Sequence, residues 1–299
     1  MKRLALRSGL AVLVCLGASG TARHTAQNVV PDTNYTFTTV NYPGDTFTQL
    51  LGINNASTIA GYHGSGATGS PNRGFRLTLP NTFISENFPG SAQTQVIGIN
   101  NNTNTDGFYI DTAGTTRGFI NIGGVFTTVD FPRTTFNQLL GLNDMGQEAG
   151  YSMDAAGHFH AYIVDGGPVL LALTIPGVPS AQMTGINNQG WLTGFYIDTA
   201  GVTHGFLINP TFTKLDFPGA TATSANGLNN NGQVVGSYTD SAGLVHGFVY
   251  NAGTFQTVED PNLFGATIIN GTNDNGVIVG FYGSCATGGT TCNGFYATP

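Results

Sequence analysis

A chain of 299 residues in which only 8% of positions are charged, against 44 glycines and 20 phenylalanines, is not built like a helical protein: soluble domains ordinarily carry about 25% charged residues, and Gly, Thr and Asn stand here where long helices need Ala, Leu, Glu and Lys. A formal charge of −7 also argues against nucleic acid as a partner, since binding it takes a cationic face that displaces counterions. What remains is a β protein whose surface is solvated by hydroxyls and amides.

The chain opens with Lys2, Arg3 and Arg7, then an apolar run from Leu10 to Leu16, then small residues from Gly17 to Thr21. That order reads as a secretory signal cleaved near Gly20 or Ala22, and the run is too short to span a bilayer. Val14 stands where a small residue should precede Cys15, which disfavours lipid attachment at that cysteine. Residues 1–22 are therefore expected to be a signal peptide, 23–35 a short flexible segment and 36–299 a single secreted or periplasmic domain with no membrane span. Losing the three leading cations leaves six basic side chains against 16 acids, a net charge of −10.

From Phe37 onward one pattern recurs. A Gly-Ile-Asn-like tripeptide begins at Gly52, Gly98, Gly141, Gly185, Gly227 and Gly271, and a second glycine follows each, at Gly61, Gly107, Gly150, Gly194, Gly236 and Gly280. A polar or basic residue, then Gly or Ala, then an aromatic follows in turn: Arg73-Gly74-Phe75, Arg117-Gly118-Phe119, His160-Ala161-Tyr162, His204-Gly205-Phe206, His246-Gly247-Phe248 and Asn293-Gly294-Phe295. The fourth anchor, Phe-Thr-x-Val-Asp-Phe-Pro, is clearest from Phe126 to Pro132 and Phe212 to Pro218. Each anchor sits in a short β-prone run, and the joints are turn chemistry: Asn-Asn-x-Gly as in Asn229 to Gly232, then Asp-x-x-Gly as in Asp198 to Gly201.

Four strands in each of six repeats predict an all-β, six-bladed β-propeller. The ends do not match: an outer strand, Phe37 to Tyr42, begins the series, and three strands ending in Asn293 to Ala297 close it. Pairing the first strand with the last three would complete blade six and leave no open edge.

The His-Ala-aromatic form at His160-Ala161-Tyr162, together with Gly-Ile-Asn-Asn-x-Gly and the Gly-x-Tyr after it, resembles the HAF repeat of bacterial predicted extracellular repeat proteins. The resemblance covers nearly the whole chain after residue 35. It implies export and a propeller and carries no catalytic residues across; Arg73, Arg117 and Asn293 depart from the family's histidine.

Those departures bear on chemistry. Arginine cannot replace a metal-ligating imidazole, so His160, His204 and His246 read as hydrogen-bonding ties from one blade's loop to its neighbour rather than ligands. Asp111, Asp154, Asp198 and Asp240 recur at one slot, where a carboxylate can accept backbone N–H bonds and fix a turn; one acid per loop is too few for calcium. Gly64-Ser65-Gly66-Ala67-Thr68-Gly69 matches a dinucleotide fingerprint but lacks the strand-then-helix context, and Trp191 reads as packing between blades. No cofactor, metal or catalytic constellation is expected.

Two loops escape the pattern, His63 to Asn72 in the first repeat and Gly283 to Cys292 in the sixth, and ring closure would make them neighbours. Cys285 and Cys292 stand alone after the signal, and export predicts a disulfide between them. Loops that break a repeat's turn chemistry are where a scaffold usually carries function. The expected function is therefore a non-catalytic, monomeric binding or scaffold module for an extracellular glycan or a cell-envelope component, with Tyr62, His63, Asn72, Arg73, Tyr282 and Asn293 as candidate contacts. An extracellular carbohydrate-active hydrolase or lyase is the alternative.

Overall fold

The computed structural model describes residues 29–30, 35–131, 134–165, 170–173, 178, 180–261 and 266–299; the signal stretch lies outside them. Six four-stranded antiparallel sheets stand around one axis, each ordered from the axis outward. Blade one comprises Phe47–Ile53, Thr58–Gly64, Arg73–Thr78 and Thr82–Ser85; blade two, Gln93–Ile99, Thr105–Ile110, Thr116–Ile122 and Val125–Val129; blade three, Asn137–Leu142, Gln147–Met153, Phe159–Asp165 and Leu170–Ala172. Blade four comprises Ser180–Ile186, Leu192–Ile197, Thr203–Ile208 and Phe212–Leu215; blade five, Ala222–Leu228, Val234–Thr239, Val245–Asn251 and Thr254–Val258. Blade six takes Ala266–Thr272, Ile278–Gly283 and Asn293–Thr298 from the end of the chain and its outer strand, Thr36–Thr39, from the beginning. The closure register pairs Thr36 with Thr298 and Thr39 with Phe295, as the mismatched ends predict. Val29–Val30 adds a short parallel strand to the outer edge of blade five.

The anchors of the repeat have separate physical causes. In the polar-Gly-aromatic tripeptide the ring is the core residue: Phe75, Phe119, Tyr162, Phe206, Phe248 and Phe295 are fully buried. The second glycine makes room for it, because a methyl group on Gly61, Gly194, Gly236 or Gly280 would come within 2.8–2.9 Å of its own blade's ring. The first glycine faces the axis. A methyl group there would lie 2.7, 2.5 and 2.3 Å from a backbone carbonyl oxygen of the next blade at Gly52, Gly227 and Gly271, so at those positions the inner strands approach too closely for a side chain.

Just beyond those glycines the asparagines close a ring. The Asn54 Nδ2 donates to the Asn100 carbonyl (3.1 Å), Asn100 to Asn143 (3.0 Å), Asn143 to Asn187 (3.0 Å), Asn187 to Asn229 (3.1 Å), Asn229 to Asn273 (2.9 Å), and Asn273 back to Asn54 (3.0 Å). All six are 5% exposed or less. Each Oδ1 accepts N–H groups of its own hairpin, as Asn187 does from Gln189 and Trp191. One amide therefore shapes a turn and docks the neighbouring blade. In blades one and two the turn glycine is replaced by Ser57 and Thr103, both at a left-handed φ of 60°.

Several blade contacts are polar rather than apolar. Glu86, buried between blades one and two, holds Arg76 (2.5 Å), accepts from Asn121 (2.9 Å) and bonds Thr105. Between blades two and three, Asp106 accepts from the Gly98 N–H (2.8 Å), while Asp106 Oδ2, Glu148 Oε2 and the Tyr162 hydroxyl have no hydrogen-bond partner among the described residues. Burial pushes Asp106 up to about 7. Burial, aided by the charges of Asp106 and Asp165, pushes Glu148 up to about 8.

Replacing Asn187 with Ala strips two hairpin N–H groups and the Asn229 carbonyl of their partner, and should lower the unfolding free energy in denaturant titrations by about 2–4 kcal/mol. Thr103→Gly relieves a β-branched residue at positive φ and should raise it by about 1 kcal/mol. The acid pair gives a pH signature. Between about pH 4 and pH 8 the folded protein keeps protons that the unfolded chain releases, so stability present at low pH declines through that window. A D106N/E148Q variant should match the parent near pH 4, exceed it at pH 8 by several kcal/mol, and show a melting temperature that falls less steeply than the parent's between them.

Candidate functional site

Strands two and four of each blade run toward the same face, which therefore carries both the second-to-third strand turns and the connections between blades. In four blades that turn is built on one aspartate: Asp111, Asp154, Asp198 and Asp240 each accept, through Oδ1, the N–H groups two and four residues on at 2.8–3.0 Å. Their second oxygen holds the basic residue of the polar-Gly-aromatic tripeptide, Arg117 (3.1 Å), His160 (2.9 Å), His204 (3.3 Å) or His246 (3.3 Å). Three of these side chains also bond an acid after the outer strand: Arg117 to Asp130, His204 to Asp216 (2.9 Å) and His246 to Glu259. The ties lie within a blade, joining the turn to its outer strand, whereas the sequence suggested ties between neighbours.

The charges are tuned accordingly. The Thr115 N–H and then Arg117 hold Asp111 below the usual carboxylate range. Asp216 raises His204 against the opposing effect of burial. Guanidinium and imidazole exchange freely in this role because both donate to two carboxylates. Among the described residues, no group of three or more His, Cys, Asp or Glu could hold a metal ion.

Blades one and six break this pattern. Cys285 and Cys292 form a disulfide, with a short 3-10 turn over Ser284–Thr287 between them. The loop is rooted in the body of the protein: Ala286 and Cys292 pack with Ala266, Ile268 and Phe281, and Cys292 pairs with the start of blade one, its carbonyl accepting from the Thr48 N–H (3.0 Å) and its N–H donating to Thr46 (3.1 Å). The blade-one loop meets it, because Gly66 lies against the Thr290 carbonyl and Thr46 bonds Ser65 (3.2 Å). The glycine-rich stretch from Gly64 to Gly69 thus connects two strands. Residues 67–71 at its tip are exposed.

The six candidate contact residues divide into two groups. Arg73 is exposed; Asn72 and Asn293 are half-buried, Asn293 accepting from Asn41 Nδ2 (2.9 Å). The other three lie beneath the surface, in roles that recur around the ring. His63, expected as a loop residue, ends a strand and stacks on Tyr42 at 3.4 Å while bonding Asp45; Tyr109 on Phe88 (3.7 Å) and Tyr238 on Phe217 (3.6 Å) are the same contact in blades two and five. This stack explains the Phe-Pro that ends the fourth anchor. Tyr282 bonds Thr39 (3.1 Å), as Tyr109 bonds Thr128 (2.9 Å) and Tyr238 bonds Thr257 (3.0 Å). Tyr62 is fully buried and donates to Gln49. Trp191 packs on Gly232 of the adjoining blade, as expected.

The axial channel carries none of the residues that the sequence marks as candidate contacts except at its flank, where Tyr62 packs with Leu51, Ile97 and Phe108. It holds a cavity of about 130 Å³ with one apolar wall, Leu51, Ile97 and Leu140, and one polar wall, Thr184, Asn226 and Asn270. The signal was present in the residue before each Gly-x-Asn, but which side chains face the axis follows only from the register. At the end opposite the long loops the channel mouth is ringed by Asn55, Asn101, Asp144, Asn188, Asn230 and Asp274, each accepting through Oδ1 the backbone N–H of the preceding blade at 2.7–2.9 Å. Asp144 takes further bonds from Asn101 (2.9 Å) and Asn188 (2.7 Å), and Asp274 from Asn230 (2.9 Å) and Asn55 (2.7 Å).

No protein-family model and no curated protein matches this sequence. Solved structures do match in shape. A TolB candidate from Agrobacterium tumefaciens aligns over 85% of this chain and 91% of its own at 12% identity, with a TM-score of 0.59. The Aleuria aurantia lectin, solved with Fucα1-6GlcNAc, aligns over 85% and 96% at 13% identity and a TM-score of 0.52. AofleA from Arthrobotrys oligospora aligns over 83% and 82% at 11% identity and a TM-score of 0.51. At such identities the likeness is one of fold: this chain is a six-bladed β-propeller of four-stranded antiparallel blades, closed by its amino-terminal strand.

Proposed function

We propose that this protein is an exported, non-catalytic binding module whose recognition surface is the lip made by the loops of blades one and six, with a neutral extracellular glycan or cell-envelope component as ligand. One observation carries the reading: the ring departs from its compact Asp-x-x-Gly turn at two adjacent blades, and the two long loops pack on each other there, Gly66 against Thr290. Independent drift of two loops does not require them to fit. Asn72, Arg73 and Asn293 supply amide and guanidinium donors at the lip, and His63, Tyr62 and Tyr282 support them from below. The low charge of the chain suits a ligand recognised through hydroxyls, and one protein of this fold, the Aleuria aurantia lectin, was solved holding a fucosyl disaccharide.

Export rests on the leading signal and is supported by the disulfide, which persists in oxidising compartments. The repeat anchors resemble those of HAF-repeat extracellular proteins and fit the same setting. Screening the mature protein on a glycan and cell-wall array should give saturable retention without turnover. Because the blade-six loop is rooted in the core, the sharper variants change only the exposed lip: Asn72→Ala with Arg73→Ala, and shortening of residues 67–70. Each should weaken retention about tenfold, the loss of one or two charge-assisted hydrogen bonds, with an unchanged melting temperature. Undiminished retention in both would place recognition elsewhere.

A further inference from the structure

Repeats make an omission visible. In five blades the second strand places an aromatic ring opposite the inner strand: Tyr62 faces Gln49, Phe108 faces Gln95, Tyr151 faces Gln138, Phe195 faces Gln182 and Phe281 faces Ile268. In blade five the pair is Ser224 and Ser237. Two small residues replace a long one and a ring, and the cavity extends into the space they leave, lined there by Gln182, Phe195, Ser224 and Ser237.

The glutamine beside this space is unusual. In blades one and three a tyrosine hydroxyl donates to the amide, from Tyr62 to Gln49 and from Tyr151 to Gln138 (2.7 Å). Blade four has Phe195 instead, and both Nε2 and Oε1 of Gln182 lack a partner among the described residues although the residue is only 1% exposed. A buried amide with neither donor nor acceptor satisfied is costly. Gln95, beside Phe108, is unpaired too, but it does not line the cavity; Leu51, Tyr62, Ile97 and Phe108 pack into one cluster in that region. On the polar wall the donors are committed elsewhere, Thr184 to the Ala225 carbonyl (2.8 Å), Asn226 to Ile269 (2.9 Å) and Asn270 to Leu50 (3.1 Å). Among the described residues, no ionisable side chain lines the cavity.

We propose that the axial cavity at blades four and five is a small-molecule site for a flat, uncharged ring bearing an amide-like edge, a donor beside an acceptor. The ring would occupy the aromatic position that Ser237 vacates, against Phe195 and facing Leu51 and Leu140, and its edge would pair with both atoms of the Gln182 amide. A charged ligand would find no counter-charge, and a sugar would leave most of its hydroxyls against leucine and isoleucine. Access runs along the axis from the mouth ringed by Asn55 and Asp274, since the two cavities share Ile53, Ile99, Leu142, Ile186, Leu228 and Thr272. This site is separate from the loop lip and does not depend on that reading.

The probe is 2-pyridone, a flat neutral ring with a cis-amide edge, titrated into the mature protein and followed by ligand-observed NMR, with benzene as the apolar control. Saturable binding is expected for 2-pyridone and at least tenfold weaker binding for benzene. Phe195→Tyr, which supplies the hydroxyl partner present in blades one and three, should weaken 2-pyridone at least tenfold and raise the melting temperature. Gln182→Leu should also weaken it tenfold, and Ser237→Phe should abolish it. The Asn72→Ala, Arg73→Ala variant should bind the probe like the parent. The proposal is overturned if 2-pyridone fails to bind the parent, leaving water alone as the occupant, or binds F195Y and Q182L as tightly as the parent.

Discussion

The closeness of six inner strands at one axis governs the rest of this structure. Strands so near that a methyl group on Gly52, Gly227 or Gly271 would clash with the neighbouring blade's backbone bring backbone carbonyls within reach of that blade, and buried carbonyls must be hydrogen-bonded. The asparagine one turn away meets that demand. Its amide has a donor and an acceptor on one rigid plane, so it fastens its own hairpin with the oxygen and the next blade with the nitrogen. Glycine and asparagine are therefore one device, and six copies close only when the sixth donates to the first, as Asn273 does to Asn54.

Outside that device the blades adhere through a mixture of apolar and polar contacts. Phenylalanines fill the wedge between sheets, and the linker aromatics stack on the following blade. Yet blades one to three also bury Glu86, Asp106 and Glu148. Such groups do not favour folding by themselves. Glu86 is compensated by Arg76, Thr105 and Asn121, whereas Asp106 and Glu148 reduce their cost by holding protons. The ring is thus electrostatically uneven beneath a regular backbone, and the interface of blades two and three adds its own pH dependence to the stability.

Function in such a scaffold is to be sought where the repeat fails. The outward side chains of the regular turns are committed to fixing the turns themselves: each aspartate holds two backbone N–H groups and its own blade's Arg or His. Two places are left over. At blades one and six the turns lengthen into loops that fit each other, the second closed by a disulfide; at blade five a core aromatic is missing beside an unpaired amide. The first offers a polar, exposed rim and the second an axial cavity with one apolar and one polar wall.

The sequence alone determined the parts of this protein that repetition makes visible. Six Gly-x-Asn anchors, four strands between them, closure by Phe37 to Tyr42 against Asn293 to Ala297, and the Cys285–Cys292 pairing could all be read before any geometry, because turn chemistry and strand patterning are local and were written several times over. What the tertiary structure decided were the relations between copies. Tyr62, His63 and Tyr282 look like exposed aromatics near a loop, but the register turns them inward, since a shift of one residue in a strand exchanges its two faces and a β-bulge just before each first glycine, as between Leu50 and Gly52, resets the alternation. The asparagine ring, the meeting of Asp106 with Glu148 and the space beside Gln182 all join residues from different blades. Nothing in a linear pattern says which faces converge on an axis; only the closed ring brings them together.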